Sequence, residues 1–182
     1  MIEKLAMLPG DSILVMDGGS RRLSVLDPGG KYVRSFVIPY QVQDVIAIGP
    51  RLWVLSGTDY SEARIGYPLQ STDATGTTPK PFGRAFPVLE SRPSASQRSI
   101  AGGPTGVWAV RPDRYELEHF DVNGKLLEVL DRQASWFPDR ELEGSRRKWS
   151  DPIYPRIRDV HVDRMGRLWL MIGVAKDGWA PM

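Results

Sequence analysis

Two stretches decide how this chain folds: "ILVMDGGSRRLSVLDPGGKYVRSF" at 13–36 and "VWAVRPDRYELEHFDVNGKLLEVL" at 107–130. The second follows the first at a constant offset of 94 residues, without a gap. Each reads as a short apolar strand, a turn, an alternating strand, an Asp-x-x-Gly turn and a third strand. In "RLSVLD" (22–27), Leu23, Val25 and Asp27 share one face, and Arg22, Ser24 and Leu26 the other. That period of two marks a half-buried strand. The Asp-x-x-Gly element has a local cause. Its Asp accepts hydrogen bonds from backbone N–H groups two or three residues on, and its Gly takes the positive φ that returns the chain to the ladder.

The same turn recurs as "DPGG" (27–30), "DVNG" (121–124) and "DRMG" (163–166). A second recurring piece is an apolar strand with Trp in its second place: "LWVL" (52–55), "VWAV" (107–110) and "LWLM" (168–171), with "ILVM" (13–16) in the same slot. Upstream of each lies another apolar strand, in "EKLAMLPG" (3–10), "VQDVIAIG" (42–49), "RSIAGG" (98–103) and "IRDVHVD" (157–163). The unit is therefore four hairpin-linked strands, and the slots near 13, 52, 107 and 168 have the irregular spacing of propeller blades with loop insertions. The expected fold is all-β: a partial β-propeller of about three and a half four-stranded antiparallel blades, in one domain over 1–182. Approximate blades are 1–39, 40–90, 97–132 and an incomplete 157–182. Two expansions interrupt the pattern. The later half of 58–81 is polar, Thr-rich and loop-like, and 131–158 allows one short helix over "PDRELEGSRRKW" (138–149), with Pro138 at its start. A single sandwich or barrel also uses short strands and turns, but neither requires this repeated grammar.

Composition narrows the function less than the fold. The 182 residues are 41% hydrophobic and 25% charged, which is ordinary for a globular domain, and the 18 Gly and 15 Pro suit many short turns. A net charge of +2 gives little support to nucleic-acid binding, which needs a clustered basic face. With no cysteine, disulfides and thiolate metal sites are out, and the compartment is left open. No apolar run reaches the ~20 residues of a membrane-spanning helix, and "MIEKLAMLPGDS" does not read as a signal peptide.

The repeats resemble the blades of six-bladed propellers of the NHL and TolB-like type. "VDRMGRLWL" (162–170) also resembles the repeat of two-component-regulator propellers. The phrases "SILVMDGGSRRLSVLDPGGKYVRSF" (12–36), "DRYELEHFDVNGKL" (113–126) and "WFP" (136–138) are similar to those of uncharacterised bacterial six-bladed propeller proteins. The resemblance implies a ring roughly twice this chain's length and a periplasmic or secreted parent. It says little about activity.

In such a ring the innermost strand of each blade lines the central channel. Asp44 in "QDVIAIG" and Asp159 in "RDVHVD" occupy matching positions, and Lys4 and Ser99 fall at about the same place in the other units. These side chains are expected to ring one mouth. Lactonase-like and phosphotriesterase-like six-bladed propellers hold calcium there with Glu, Asp and Asn. Two Asp residues alone fall short of the six to eight oxygens that calcium takes, so solvated or turn-capping carboxylates are the plainer reading and no metal site is assigned. Long loops on rigid scaffolds often carry function, which makes Trp136 and Arg140 of the 131–158 insertion binding candidates as well. The alternative is that Trp136 and Trp149 pin the insertion to its own blade. His119 and His161, the two histidines, read as strand residues beside turn carboxylates. "GGPTG" (102–106) reads as a turn, and no P-loop or dinucleotide fingerprint is present. Trp53, Trp108 and Trp169 are expected in the core between blades.

The expected function is a non-catalytic propeller scaffold that binds a small molecule or protein at one face. The alternative is a calcium-dependent lactonase-like or esterase-like hydrolase. A six-blade ring needs roughly 240–300 residues at about 40–50 per blade, so a fragment or a ring completed by a second copy is expected, with self-association through open blade edges.

Overall fold

The computed structural model describes residues 2–8, 10–38, 40–49, 52–58, 61, 63–73, 79–85, 97–137 and 155–174. Every described element is a strand, and each sheet is an antiparallel meander in chain order. The first sheet comprises β1 (Ile2–Met7), β2 (Ile13–Asp17), β3 (Arg22–Leu26) and β4 (Tyr32–Val37). The second comprises β5 (Gln41–Ile48), β6 (Leu52–Thr58), β7 (Leu69–Asp73) and β8 (Lys80–Phe82). The third comprises β9 (Ser99–Gly103), β10 (Gly106–Val110), β11 (Glu116–Phe120) and β12 (Leu126–Asp131). The fourth holds β13 (Arg156–Val162) and β14 (Leu168–Gly173). The first strands of successive sheets lie side by side, β1 against β5, β5 against β9 and β9 against β13. Four sheets radiating from neighbouring inner strands make a partial propeller of three blades and a half.

Packing runs between the blades. Leu14, Met16, Leu23 and Val25 of the first sheet meet Val42, Val45, Trp53 and Leu55 of the second. Val54, Leu69 and Phe82 meet Ile100, Val107, Ala109 and Phe120 of the third. Ala101, Trp108, Val110 and Leu117 then meet Ile157 and Val160 of the fourth. The middle blades are thus covered on both faces, which is why β10 is apolar at every position and wholly buried. The outward faces of the first and fourth sheets are uncovered: Ile2, Leu5 and Met7 on one, Trp169 and Met171 on the other. The expectation of three core tryptophans needs correction here. Trp53 and Trp108 are 1% and 9% exposed, whereas Trp169 is 56% exposed. Along β14, Leu168, Leu170 and Ile172 pack toward the third blade, and alternation turns Trp169 the other way.

The repeated turns share one geometry. Lys31 N–H donates to Asp27 Oδ1 at 2.8 Å, Lys125 to Asp121 at 2.9 Å and Arg167 to Asp163 at 3.0 Å. The closing Gly30, Gly124 and Gly166 have φ of 80, 83 and 77°. The first two turns join third to fourth strands (β3–β4, β11–β12), and the third joins β13 to β14. The Thr-rich half of 58–81, expected as loop, contains β7. Leu69 packs in the core, and Gln70 and Thr72 are buried with the ladder to β6 holding their backbone. The expected helix over 138–149 lies outside the described residues. No helix among the described residues is long and apolar enough to cross a membrane.

Candidate functional site

Three inner strands carry the same irregularity at the same height. Each has one extra residue relative to its partner strand: Glu3 in β1, Gln43 in β5 and Arg158 in β13. Such a bulge bends the strand and re-aims the side chains around it. The residue after the bulge is Lys4, Asp44 or Asp159, and the three meet. Lys4 Nζ lies 3.1 Å from Asp44 Oδ1 and 3.5 Å from Asp159 Oδ1. Ser99 of β9 joins the arc by donating its hydroxyl to the Arg158 carbonyl at 3.1 Å. The matched positions in the sequence therefore converge on one mouth, as a lysine held between two aspartates.

The two aspartates sit in different environments. The Asp44 side chain is 6% exposed and that of Asp159 is 45% exposed. Asp44 Oδ1 accepts the Val45 N–H at 2.8 Å, and Oδ2 accepts the Ile100 N–H of the next blade at 2.9 Å. It is a three-way tie between blades one, two and three. Burial pushes the Asp44 carboxyl above its ordinary range, and Lys4 with the two amides offsets only part of that. Burial alone would lower Lys4, but Asp44 and Asp159 outweigh it and hold its ammonium above the usual lysine value. Asp44 is the deeper partner, so desolvation weighs more on it than on Lys4.

These residues line a cavity of about 430 Å³. Its walls also carry Glu3, Gln43, Arg98, Arg156 and Arg158, with Ile157, Met171 and Pro112 as the apolar part. Arg98 is buried and already paired: its Nε lies 3.3 Å from Glu118 Oε2, and its backbone N–H donates to Ser56 Oγ at 3.1 Å. One ammonium, that of Lys4, stands between the two carboxylates, each of which also accepts a backbone amide, whereas calcium takes six to eight oxygens. Among the described residues no group of three or more His, Cys, Asp or Glu could hold a metal ion.

Of the four candidates, Asp44 and Asp159 come together. Trp136 does not line this cavity; it packs edge-on against Tyr115 at 6.1 Å and Phe137 at 5.9 Å, beside the core of blades three and four. Arg140 lies outside the described residues, as does Trp149. His161 is exposed on β13, opposite Trp169, and Asp163 bonds Trp169 Nε1 at 3.0 Å. His119 is buried, stacked on Trp108 at 4.2 Å, with Nε2 3.1 Å from Thr105 Oγ1 and Nδ1 3.1 Å from Glu128 Oε1. In the 94-residue repeat it stands where Val25 stands, at a core position. Sequence reading missed Gln43, Arg156 and Arg158 as lining residues. The signal was present in "QDV" and "RDV", where the residue before each matched Asp is the bulged one.

No protein-family model matches the chain, and no curated protein matches it. Solved structures do. The chain is similar to a streptogramin B lyase (TM-score 0.54, 12% identity, 93% of this chain) and to virginiamycin B lyase from Staphylococcus aureus (0.54, 13%, 91%). It is also similar to the β-propeller domain of Cps50 (Swd1) from Myceliophteria thermophila (0.56, 11%, 93%). It spans about half the length of each, 47%, 47% and 50%. Radial four-stranded meanders, blade-to-blade cores and these likenesses establish the β-propeller as the fold of this chain.

Proposed function

We propose that this chain is a non-catalytic propeller scaffold that binds a small molecule or a protein segment at the mouth where its inner strands begin. The observation that carries the reading is the repeated bulge. Three blades bend at one height and present Glu3, Gln43 and Arg158, with Lys4, Asp44 and Asp159 beside them, to a single cavity of about 430 Å³. Pockets of that size with a few convergent polar groups are the usual form of a ligand site. Channel-mouth binding agrees with the resemblance to six-bladed NHL and TolB-like rings, and the proposal places the blades in a ring of that kind. At 12 and 13% identity the likeness to the two lyases is one of backbone, so the proposed role rests on the cleft.

A thermal-shift screen of a metabolite library against wild type and Gln43→Trp, which fills the cleft, tests the role. Compounds that stabilise wild type and lose their effect in the variant support it. Compounds that stabilise both equally place binding elsewhere. Saturable ester or lactone turnover that Gln43→Trp abolishes would overturn the non-catalytic part.

A further inference from the structure

We infer that Asn123 is a modification site: it deamidates through the Gly124 nitrogen, at a rate set by how firmly Asp121 holds the turn between β11 and β12. The turn lies at the end of the third sheet opposite Ser99, away from the cleft. Asn123 is the one asparagine among the 182 residues, and glycine follows it. Both features matter chemically. The side-chain carbonyl carbon of Asn, Cγ, can be attacked by the main-chain nitrogen of the next residue, which closes a five-membered ring. A side chain on that next residue hinders the approach, and glycine has none. Asn123 is exposed, as are Val122 and Lys125, so solvent reaches the turn. The two equivalent turns have Gly29 and Met165 in this place, and neither can react in this way.

The step balances with water as the one co-reactant. The Gly124 nitrogen gives up its proton and bonds to Asn123 Cγ, the Cγ–Nδ2 bond breaks, and ammonia leaves. Water then opens the succinimide at either carbonyl, giving aspartate or isoaspartate. Asp121 restrains both partners of the first step. Its carbonyl accepts the Gly124 N–H at 3.0 Å, and its Oδ1 accepts the Asn123 N–H at 2.8 Å and the Lys125 N–H at 2.9 Å. The Asn123 side-chain amide also lies beside this carboxylate. Ring closure must therefore wait for the turn to open, and local openings of that kind cost less than global unfolding. The product fits the turn poorly. Isoaspartate puts one more carbon into the main chain, and either product adds a second carboxylate beside Asp121. Gly124 also sits so close to the second blade that a Cβ there would lie 2.8 Å from Phe82, which packs edge-on against Phe120 at 5.5 Å. Phe82 and Phe120 belong to the core shared by blades two and three, so a change in the turn reaches that core.

Peptide mapping of the full chain during incubation at mildly alkaline pH tests this. Trypsin releases Asn123 in the peptide Tyr115–Lys125. Deamidation adds one mass unit to that peptide, as NH2 is exchanged for OH. The expected result is that gain in wild type, with isoaspartate and aspartate both formed, and no gain in Asn123→Ser. The native chain should react about 10-fold more slowly than the chain in urea, the factor that about 1.4 kcal/mol of restraint gives. Asp121→Ala should remove most of that difference. Asp27→Ala makes the same loss in the equivalent turn of the first sheet, where Asp27 holds Lys31 and Gly30. It should leave the Asn123 rate within about 2-fold, since the two turns are separate sites. No gain in mass in Asp121→Ala overturns the inference. So does a native wild-type rate equal to that in urea, or an acceleration by Asp27→Ala equal to that by Asp121→Ala. The deamidated fraction, separated by its extra negative charge, should unfold at a lower urea concentration than the unmodified chain; an equal midpoint rejects the link to Phe82.

Discussion

Asp44 and Asp159 occupy the same place in the repeat, and they should differ sharply when replaced by alanine. In Asp44→Ala, the amides of Val45 and Ile100 lose their acceptor, at 2.8 and 2.9 Å, in a site where the side chain is 6% exposed. Two unsatisfied amides cost about 2–6 kcal/mol together. Relief of the carboxylate's own desolvation returns part of that, because burial already raises its pKa. Loss of the Lys4 pair adds about 1 kcal/mol or less, since Lys4 is itself partly solvated. The net expectation is about 3 kcal/mol, or a fall in Tm of roughly 6–12 °C for a chain of this size. Asp159 serves one amide, that of Val160 at 3.0 Å, and its side chain is 45% exposed. Asp159→Ala should cost below about 1 kcal/mol. Urea unfolding of both variants, with Lys4→Met as the second edge of a double-mutant cycle, measures the terms. Equal costs at the two positions, or a cost below about 0.5 kcal/mol at Asp44, would refute the claim that inter-blade amide satisfaction makes Asp44 structural. A coupling to Lys4 above half the total would assign the effect to the ion pair instead.

Gly30 and Gly124 close equivalent turns at φ 80 and 83°, yet alanine there should differ. A Cβ at Gly30 meets nothing within 4 Å and costs about 1–2 kcal/mol of backbone strain, whereas at Gly124 it lies 2.8 Å from Phe82 and adds about 1–3 kcal/mol of overpacking, as denaturant midpoints will show. Hydrogen bonds from Trp169 Nε1 and from Arg167 hold the Asp163 carboxyl down to about 2. Its contribution is present above the unfolded value near 3.9 and is lost as pH falls through about 2. Asp163→Asn should flatten the acid limb of urea midpoints between pH 4 and 2. Asp44 carries the opposite sign: its raised native pKa means that its contribution declines as pH rises from about 4, so Asp44→Asn should remove that decline. Trp169 and Met171 are 56% and 60% exposed on one open face, and wild type should self-associate in sedimentation velocity. Trp169→Gln with Met171→Gln should reduce that association; a wild type that stays monomeric at high concentration contradicts the prediction.

Much of the fold was readable because its signals are local. The hydrogen bonds of Asp27, Asp121 and Asp163 close within four residues, so the turn chemistry stands in the sequence itself. The alternation of Leu23 and Val25 with Arg22 and Ser24 is likewise a property of one strand. The β7 strand escaped notice because Gln70 and Thr72 look like loop residues until β6 supplies a ladder and neighbouring sheets exclude water. Trp169 was misplaced because "LWLM" matches "LWVL" and "VWAV" in composition. Whether a strand face is core depends on a sheet lying against it, and no motif inside the strand encodes that.

By itself, then, the sequence determined the repeated hairpin turns, the propeller class and the matched positions of Asp44 and Asp159, all of which follow from period, turn geometry and repetition along one chain. The tertiary structure alone decided that Lys4 sits between those aspartates, that Asp44 is buried and Asp159 half-exposed, and that Gln43 and Arg156 line the same cavity. These are facts of pairing between strands and packing between blades. A bulge is defined only against the neighbouring strand, and burial only against the neighbouring sheet, so neither can be read from a strand taken alone.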